Sequence, residues 1–374
     1  MKKNLIIFHQ ALSPYKIDLW NSLNELFNFK IFFINKAIKS QNFDQSELEK
    51  KLRFKCNYLT RGFNIKHIAI RFGILSVIRK NNPGIIISYE YSPITIWVYF
   101  LKRIFGFKYK IYSICMDSLL IAKTCRGFHK LSRDFLVTKI DGLIVVNNDV
   151  AKWYNGRFAL KNDCIVLGNI YKESDFQDRL KAALPLSNQY LKKFDLIGKR
   201  CIFFVGRLVA IKGVDRLLNA FNNIRADYPD VKLVIIGDGT EENKLKNQAN
   251  QYGLGDAGIF VGRLEGPELD AWYNIGQIFV LPSHYEPFGA VVNEALLGGA
   301  DVLCSSYAGA TSLIQPAKNG EIFDPYDIEL LSKLLRTYLD KLSSLVLLES
   351  IRASHMVVTF EERINNLYNR LSNT

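Results

Sequence analysis

Short apolar runs alternate with longer segments of helical spacing, and the alternation occurs twice along the 374 residues. The first series is NLIIFH (4–9), FKIFFIN (29–35), IIISY (85–89), YKIYSIC (109–115), GLIVVN (142–147) and CIVLGN (164–169). The second is CIFFV, KLVIIG, GIFVG, IFVLP and DVLCS, running from 201 to 305. Runs this short and this continuously apolar read as strands buried on both faces, which requires a parallel sheet with helices over each face. The chain is therefore predicted to be α/β, with two Rossmann-like β/α/β domains facing a central cleft, over residues 1–170 and 177–357. The polar, irregular-looking segment 170–199 places the linker near 170–176.

The helices follow from the same spacing. Ser13 is the expected N-cap and Pro14 the first residue of a helix running to about Phe27. IKHIAIRFGILSVIRKN (65–81) has helical spacing and ends at Asn82-Pro83-Gly84; further helices are expected at 94–105 and 129–139. The tail 327–374 reads as helical, with Ile364, Leu367, Tyr368 and Leu371 on one face.

Charge separates the halves. The net charge is +13, but residues 1–169 hold 27 Lys and Arg against 11 Asp and Glu, so +16, and the rest holds 22 against 25, so −3. A basic half seeks nucleic acid, an anionic membrane or an acidic substrate. It carries no recognisable nucleic-acid motif, and we expect no such partner. No run of 18 apolar residues appears, and LIIF at the start is too short for a signal peptide's core, so a cytoplasmic protein is expected. The six cysteines (56, 115, 125, 164, 201, 304) are scattered without CxxC and read as reduced core residues.

Two stretches concentrate chemistry. LPSHYEPFGAVVNEALLGG (281–299) reads as strand end, tight loop and helix. Gly289 lets backbone approach a ligand, the helix opening offers unpaired N–H groups to an anion, and Glu286 and Glu294 flank it. Phosphate gripped by amides beside hydroxyls held by carboxylates suggests a nucleotide sugar. An ordinary loop with surface acids fits the same residues. Gly206-Arg207 follows another strand, and Lys212-Gly213 opens its helix. Two cations at such a place suit a diphosphate, or are simply solvated. Gly237-Asp238-Gly239 lacks the spacing of a dinucleotide fingerprint and reads as a turn.

Glu286-PFGAVVN-Glu294, an E-x7-E, resembles the signature of family-4 retaining glycosyltransferases of GT-B fold. FFVGRLVAIKGVDRLLNAF (203–221) is similar to the family's strand–GR–x4–KG–helix segment. LVIIGDGTEENKL, IFVGRLEGPEL, SSYAGATSLI and NGEIFDPYD follow in family order, so the resemblance covers about residues 200–330. It implies that Arg207 and Lys212 hold the donor diphosphate at Gly206 and offset the charge that grows on it, that Glu294 binds the ribose and that Glu286 lies at the sugar. The amides of Phe288, Gly289, Ala290 and Val291 would face sugar and phosphate, and the backbone of Arg263-Leu264 the base. The last helix, about 358–374, would return to the first domain.

The family's first loop is frequently glycine-rich, but here it reads HQALSPYK. That departure leaves the acceptor side open, with His9, Ser13 and Asp117 as candidates. No Asp-x-Asp occurs, so no metal and no cofactor is expected beyond the nucleoside-diphosphate sugar itself. The resulting expectation is a retaining hexosyltransferase-like enzyme of polysaccharide biosynthesis, such as lipopolysaccharide or capsule. Its acceptor would be lipid-linked or a saccharide, and the protein peripheral on the inner membrane face. Cation-bearing apolar segments at 65–80 and 94–110, including Lys66, Arg71, Trp97, Lys102, Arg103, Lys108 and Lys110, are the reason for the membrane. A soluble glucan synthase or phosphorylase and a catalytically silent scaffold of the same fold are the rivals.

Overall fold

The computed structural model describes residues 2–36, 44–65 and 68–373. The chain divides into two units, residues 1–169 with 360–374, and residues 170–359.

Unit 1 contains, in order, β1 (Asn4–His9), α1 (Ile17–Leu26), β2 (Asn28–Phe33), α2 (Gln45–Lys50), β3 (Asn57–Tyr58), β4 (Gly62–Ile65), β5 (Ile68–Arg71), α3 (Ile74–Asn81), β6 (Ile85–Tyr89) and α4 (Pro93–Phe105). It continues with β7 (Lys110–Ile114), α5 (Leu119–Thr124), α6 (Gly127–Leu136), β8 (Gly142–Val145), α7 (Asn148–Arg157) and β9 (Ile165–Val166). Seven strands form one parallel sheet in the order β3-β2-β1-β6-β7-β8-β9. Its middle strands are buried over almost their whole length, as their apolar runs require.

Unit 2 contains α8 (Glu173–Lys193), β10 (Arg200–Val205), α9 (Val214–Ile224), β11 (Val231–Ile236), α10 (Glu242–Gln251), β12 (Gly258–Gly262) and α11 (Pro267–Ile275), then β13 (Ile278–Leu281), α12 (Ala290–Leu297), β14 (Asp301–Ser305), β15 (Gly320–Phe323) and α13 (Ile328–Leu339). Its parallel sheet runs β12-β11-β10-β13-β14-β15. Each unit is Rossmann-like. In each, the strand order reverses beside the first strand, between β1 and β6 and between β10 and β13. The loops leaving the carboxyl ends of those two strands diverge there and leave a crevice, where open α/β sheets bind ligands.

The last helix, α14 (Phe360–Ser372), belongs to unit 1. Phe360, Ile364, Leu367 and Leu371 are its buried face, and Tyr368 packs at a tilt against Phe27 with centroids 5.4 Å apart.

Four local expectations change. Residues 65–81 are not one helix. Ile68–Arg71 pairs antiparallel with Gly62–Ile65 as a hairpin, and the helix starts only at Ile74, because Gly73 takes a left-handed φ of 92°. Lys66 lies outside the described residues. The segment 170–199 is not irregular, since α8 occupies 173–193. Its apolar stripe, Phe176, Leu180, Ala183 and Leu191, is masked in the sequence by charges that point outward and by Pro185. Ser187 Oγ returns a bond to Ala183 O at 2.9 Å, and α8 packs on α11, where Tyr190 and Phe194 close over buried Trp272. The tail is two helices, α13 and α14, with irregular chain between them. Finally, Ser13 makes no side-chain cap; its carbonyl accepts from Lys16 N at 3.1 Å in a short 3-10 turn, Pro14–Lys16, before α1.

Candidate active site in unit 2

Two loops flank the switch between β10 and β13, and each carries residues singled out by the sequence. The first, after β10, runs Gly206-Arg207 through a 3-10 turn, Ala210–Lys212, to Gly213, which opens α9. Gly213 has φ 66°, and a Cβ there would lie 2.3 Å from Pro282 O in the second loop. Only glycine lets the two backbones come this close. His284 N donates to Ile211 O at 3.0 Å, and Arg216 Nη1 lies 3.2 Å from His284 Nδ1. His284 thus joins the loops.

The second loop is fixed from its other side. Glu286 forms a parallel bridge with Ala308, and Ala310 N donates to Phe288 O at 2.7 Å. The Phe288 side chain is buried and anchors the turn. Gly289 follows with φ 93° as the N-cap residue of α12, and no side chain caps that helix. Ala290 and Val291, partly exposed, bring N–H groups with no partner inside the helix to its first turn, where the helix dipole favours an anion.

Across this junction Lys212 Nζ donates to Glu286 Oε2. The side chains are 15% and 11% exposed, so the pair is largely shielded yet reachable. The two residues are 74 apart in sequence. They meet because β10 and β13 are neighbours in the sheet. Arg207 is exposed and, among the described residues, has no ion pair.

The third loop of this edge supports the first. Leu208 N donates to Asp238 O at 2.6 Å, and Glu241 N to Leu208 O at 2.8 Å. The Gly237-Asp238-Gly239 turn is therefore a brace. Arg263 and Leu264 follow β12; Arg263 is exposed and forks onto Glu265 Oε1, with Nε at 3.1 Å and Nη2 at 2.5 Å.

Glu294 stands one turn into α12 and is held by other elements. Tyr273 Oη on α11 donates to its carboxylate. Burial pushes the Glu294 carboxyl above its ordinary range, while the Tyr273 bond and the Arg179 charge pull it down. Arg179 on α8 grips Asp270 on α11 through two bonds, Nε at 3.1 Å and Nη2 at 2.5 Å. Tyr273, Arg179 and Asp270 were not singled out from sequence. The signal for Arg179 is the charge pattern of 170–199, a segment that reads from sequence as polar and irregular.

The candidates in unit 1 sit at the carboxyl ends of its strands. His9 is buried among Trp20, Phe33 and Tyr89 rings, its Nδ1 3.2 Å from Ala11 O and its Nε2 without a partner among the described residues. Burial and the nearby Lys16 charge bring its pKa to about 3, so the ring is neutral near pH 7. Ser13 is buried. Asp117 follows β7; burial raises its carboxyl, and Cys115 Sγ is 3.6 Å from its Oδ2.

Sequence reasoning passed over Glu90, which directly follows β6 with a left-handed φ of 48°. Burial and then the Asp117 charge raise its pKa to about 8, and His129 Nε2 lies 3.6 Å away. It also passed over Lys16, buried with its Nζ 3.6 Å from Met116 Sδ, whose pKa burial lowers to about 7. Both are the first polar groups beyond an apolar strand or at a helix opening, which was the available signal.

Residues 189–361 match the family described as glycosyl transferases group 1. A stretch of 139 residues is 35% identical to the glycogen synthase of Mycobacterium tuberculosis, covering 37% of this chain and 34% of that protein. The chain thus spans about a third of the length of that relative. Whole-chain similarity appears in structures. HepE of Anabaena in complex with UDP aligns with TM-score 0.72 at 13% identity, over 98% of this chain and 95% of its own. A lipopolysaccharide outer core galactosyltransferase, WaaB, aligns with TM-score 0.71 at 17% identity, over 99% of both chains. The fold is therefore that of the GT-B glycosyltransferases.

Proposed function

We propose, from the glycosyl transferases group 1 domain that residues 189–361 match, that this chain is a glycosyltransferase using a nucleoside-diphosphate sugar. The observation that carries this reading is the Lys212–Glu286 pair at the junction of two interlocked loops, beside the uncapped opening of α12. A diphosphate entering there meets the amides of Ala290 and Val291 and the cations Arg207 and Lys212. It competes with Glu286 for Lys212. Transfer of Lys212 to phosphate frees the Glu286 carboxylate to accept from sugar hydroxyls, so donor binding itself arms the site.

In this reading the acceptor oxygen attacks the anomeric carbon from the face the diphosphate leaves, with retention. The leaving phosphate takes the proton, and the two cations offset its growing charge without a metal. The acceptor is a lipid-linked or saccharide intermediate of a cell-surface polysaccharide, and the protein works as a peripheral protein on the inner membrane face. UDP in HepE and the galactosyltransferase WaaB support a nucleotide sugar and a surface-glycan role. The glycogen synthase similarity favours a second reading, a soluble glucan acceptor.

The test is hydrolysis and transfer by the purified protein over a panel of nucleotide sugars, with Glu286→Ala alongside. Turnover of one donor, lost in the variant, is expected. A wild-type protein that binds and cleaves none of them overturns the reading in favour of a silent scaffold.

A further inference from the structure

Unit 1 leaves a large apolar surface uncovered. Helix α6 buries Ser132 and Arg133 together with Leu136, whereas Phe128, Leu131 and Phe135, at i, i+3 and i+7, face solvent. Leu131 is 69% exposed and Arg133 only 2%. Arg133 is held by Ala122 O at 2.6 Å and Asp134 Oδ1 at 3.0 Å, so the orientation is fixed. Water alone gives no reason to leave two Phe and a Leu together on the exposed face while a guanidinium is buried.

Helix α4 presents a matching stripe, Trp97, Phe100 and Ile104, with the same spacing. Phe100 and Phe135 stack with centroids 6.0 Å apart, which joins the two stripes. Against α4 lies the hairpin β4–β5, whose Phe63 and Ile65 are half exposed, with Phe72 5.9 Å from Phe63. With roughly half of each aromatic side chain uncovered, the patch exceeds the few hundred Å² that soluble monomers ordinarily leave.

Cations edge the patch. Lys139 Nζ lies 4.5 Å from the centre of the Phe135 ring, and Arg79 4.8 Å from that of Phe105. Arg103 and Lys108 are exposed at the end of α4. Lys102 and Lys110, grouped with them in the sequence, instead face Asp141 at 3.4 and 3.8 Å and serve the fold. A second copy of the chain would set like charges against like, since residues 1–169 carry +16. An anionic bilayer offers the opposite sign outside and hydrocarbon beneath, the environment that interfacial aromatics and basic residues suit.

We propose that α4, α6 and the hairpin β4–β5 form one docking surface that seats Trp97, Phe128 and Leu131 in the interfacial layer of an anionic membrane, with Arg79, Arg103, Lys108 and Lys139 on lipid phosphates. The proposal deepens the reading above and rests on its membrane-side acceptor. It differs from simple electrostatic adsorption, because the apolar stripes carry part of the binding.

Flotation of the full chain with vesicles of phosphatidylcholine, with and without phosphatidylglycerol, tests it. Wild type should float with the anionic vesicles, less so at high salt, and its tryptophan emission should shift to the blue, a shift missing from Trp97→Phe. The double variant Phe128→Ser, Leu131→Ser, changed at two solvent-facing positions, should lose about tenfold or more of vesicle partition while keeping its circular dichroism and nucleotide-sugar hydrolysis. Wild type left in the supernatant at low salt overturns the proposal. So does a double variant that binds as wild type, or a dimer in sedimentation velocity that the double variant dissolves. Vesicle binding without hydrolysis of any donor overturns the proposed function and leaves the surface standing.

Discussion

Replacing Gly213 with Ala tests whether the interlocked loops create the site. Two costs follow from the structure. Left-handed backbone, φ 66° here, costs an L-residue about 1–2 kcal/mol. The added Cβ would also lie 2.3 Å from Pro282 O, a backbone atom that cannot rotate away. The two loops must therefore part by something under ~1 Å, and the Lys212–Glu286 pair spans that gap. Misplacement of about 1 Å in a catalytic site costs on the order of a hundredfold in rate. Gly198→Ala is the control: its φ is 79°, and a Cβ there meets nothing within 4 Å. Both variants should lose about 2–8 °C of Tm from the backbone cost alone. Only Gly213→Ala should also lose kcat/KM for donor cleavage, by about a hundredfold. Steady-state kinetics beside differential scanning calorimetry reads both. Equal kcat/KM for the two variants would refute the idea that loop apposition builds the site.

Other outcomes follow from the same geometry. Glu294→Ala should weaken nucleotide binding in calorimetry by about 1.5–3 kcal/mol, while Glu286→Ala should chiefly lower turnover; wild-type behaviour of both would remove the acids from the site. Activity should survive EDTA, and loss restored by Mn2+ or Mg2+ would show that a metal holds the diphosphate. The product's anomeric proton coupling should match that of an α-linked donor, and inversion would contradict the retaining mechanism. Glu90, whose folded pKa of about 8 lies above the ordinary carboxyl value of 4.5, keeps its proton in the folded state while the unfolded chain gives it up. The folded state then binds more protons between those values, so this group makes stability fall as pH rises from about 4.5 to 8. Glu90→Gln should remove that part of the slope, and identical Tm–pH curves for variant and wild type would refute the assignment.

Much of this molecule was legible before any coordinates, for a definite reason. Strands buried on both faces must be continuously apolar, so β1, β6, β7, β10 and β13 announce themselves whatever their neighbours are. Loop positions were legible too, because Arg207, Lys212, Glu286 and Gly289 follow strand ends or open helices, and that placement is local. Where the sequence misled, tertiary contacts outweighed local spacing. Residues 65–81 carry helical periodicity, yet Gly73 and the pairing of Phe63 with Ile70 divide them between hairpin and helix. The charges of α8 hid a stripe that only α11 explains. No spacing rule reveals that Lys212 meets Glu286, since strand order sets their distance, nor that α6 turns Arg133 inward and Leu131 outward. Periodicity shows that a helix has two faces; only the packing decides which of them meets water.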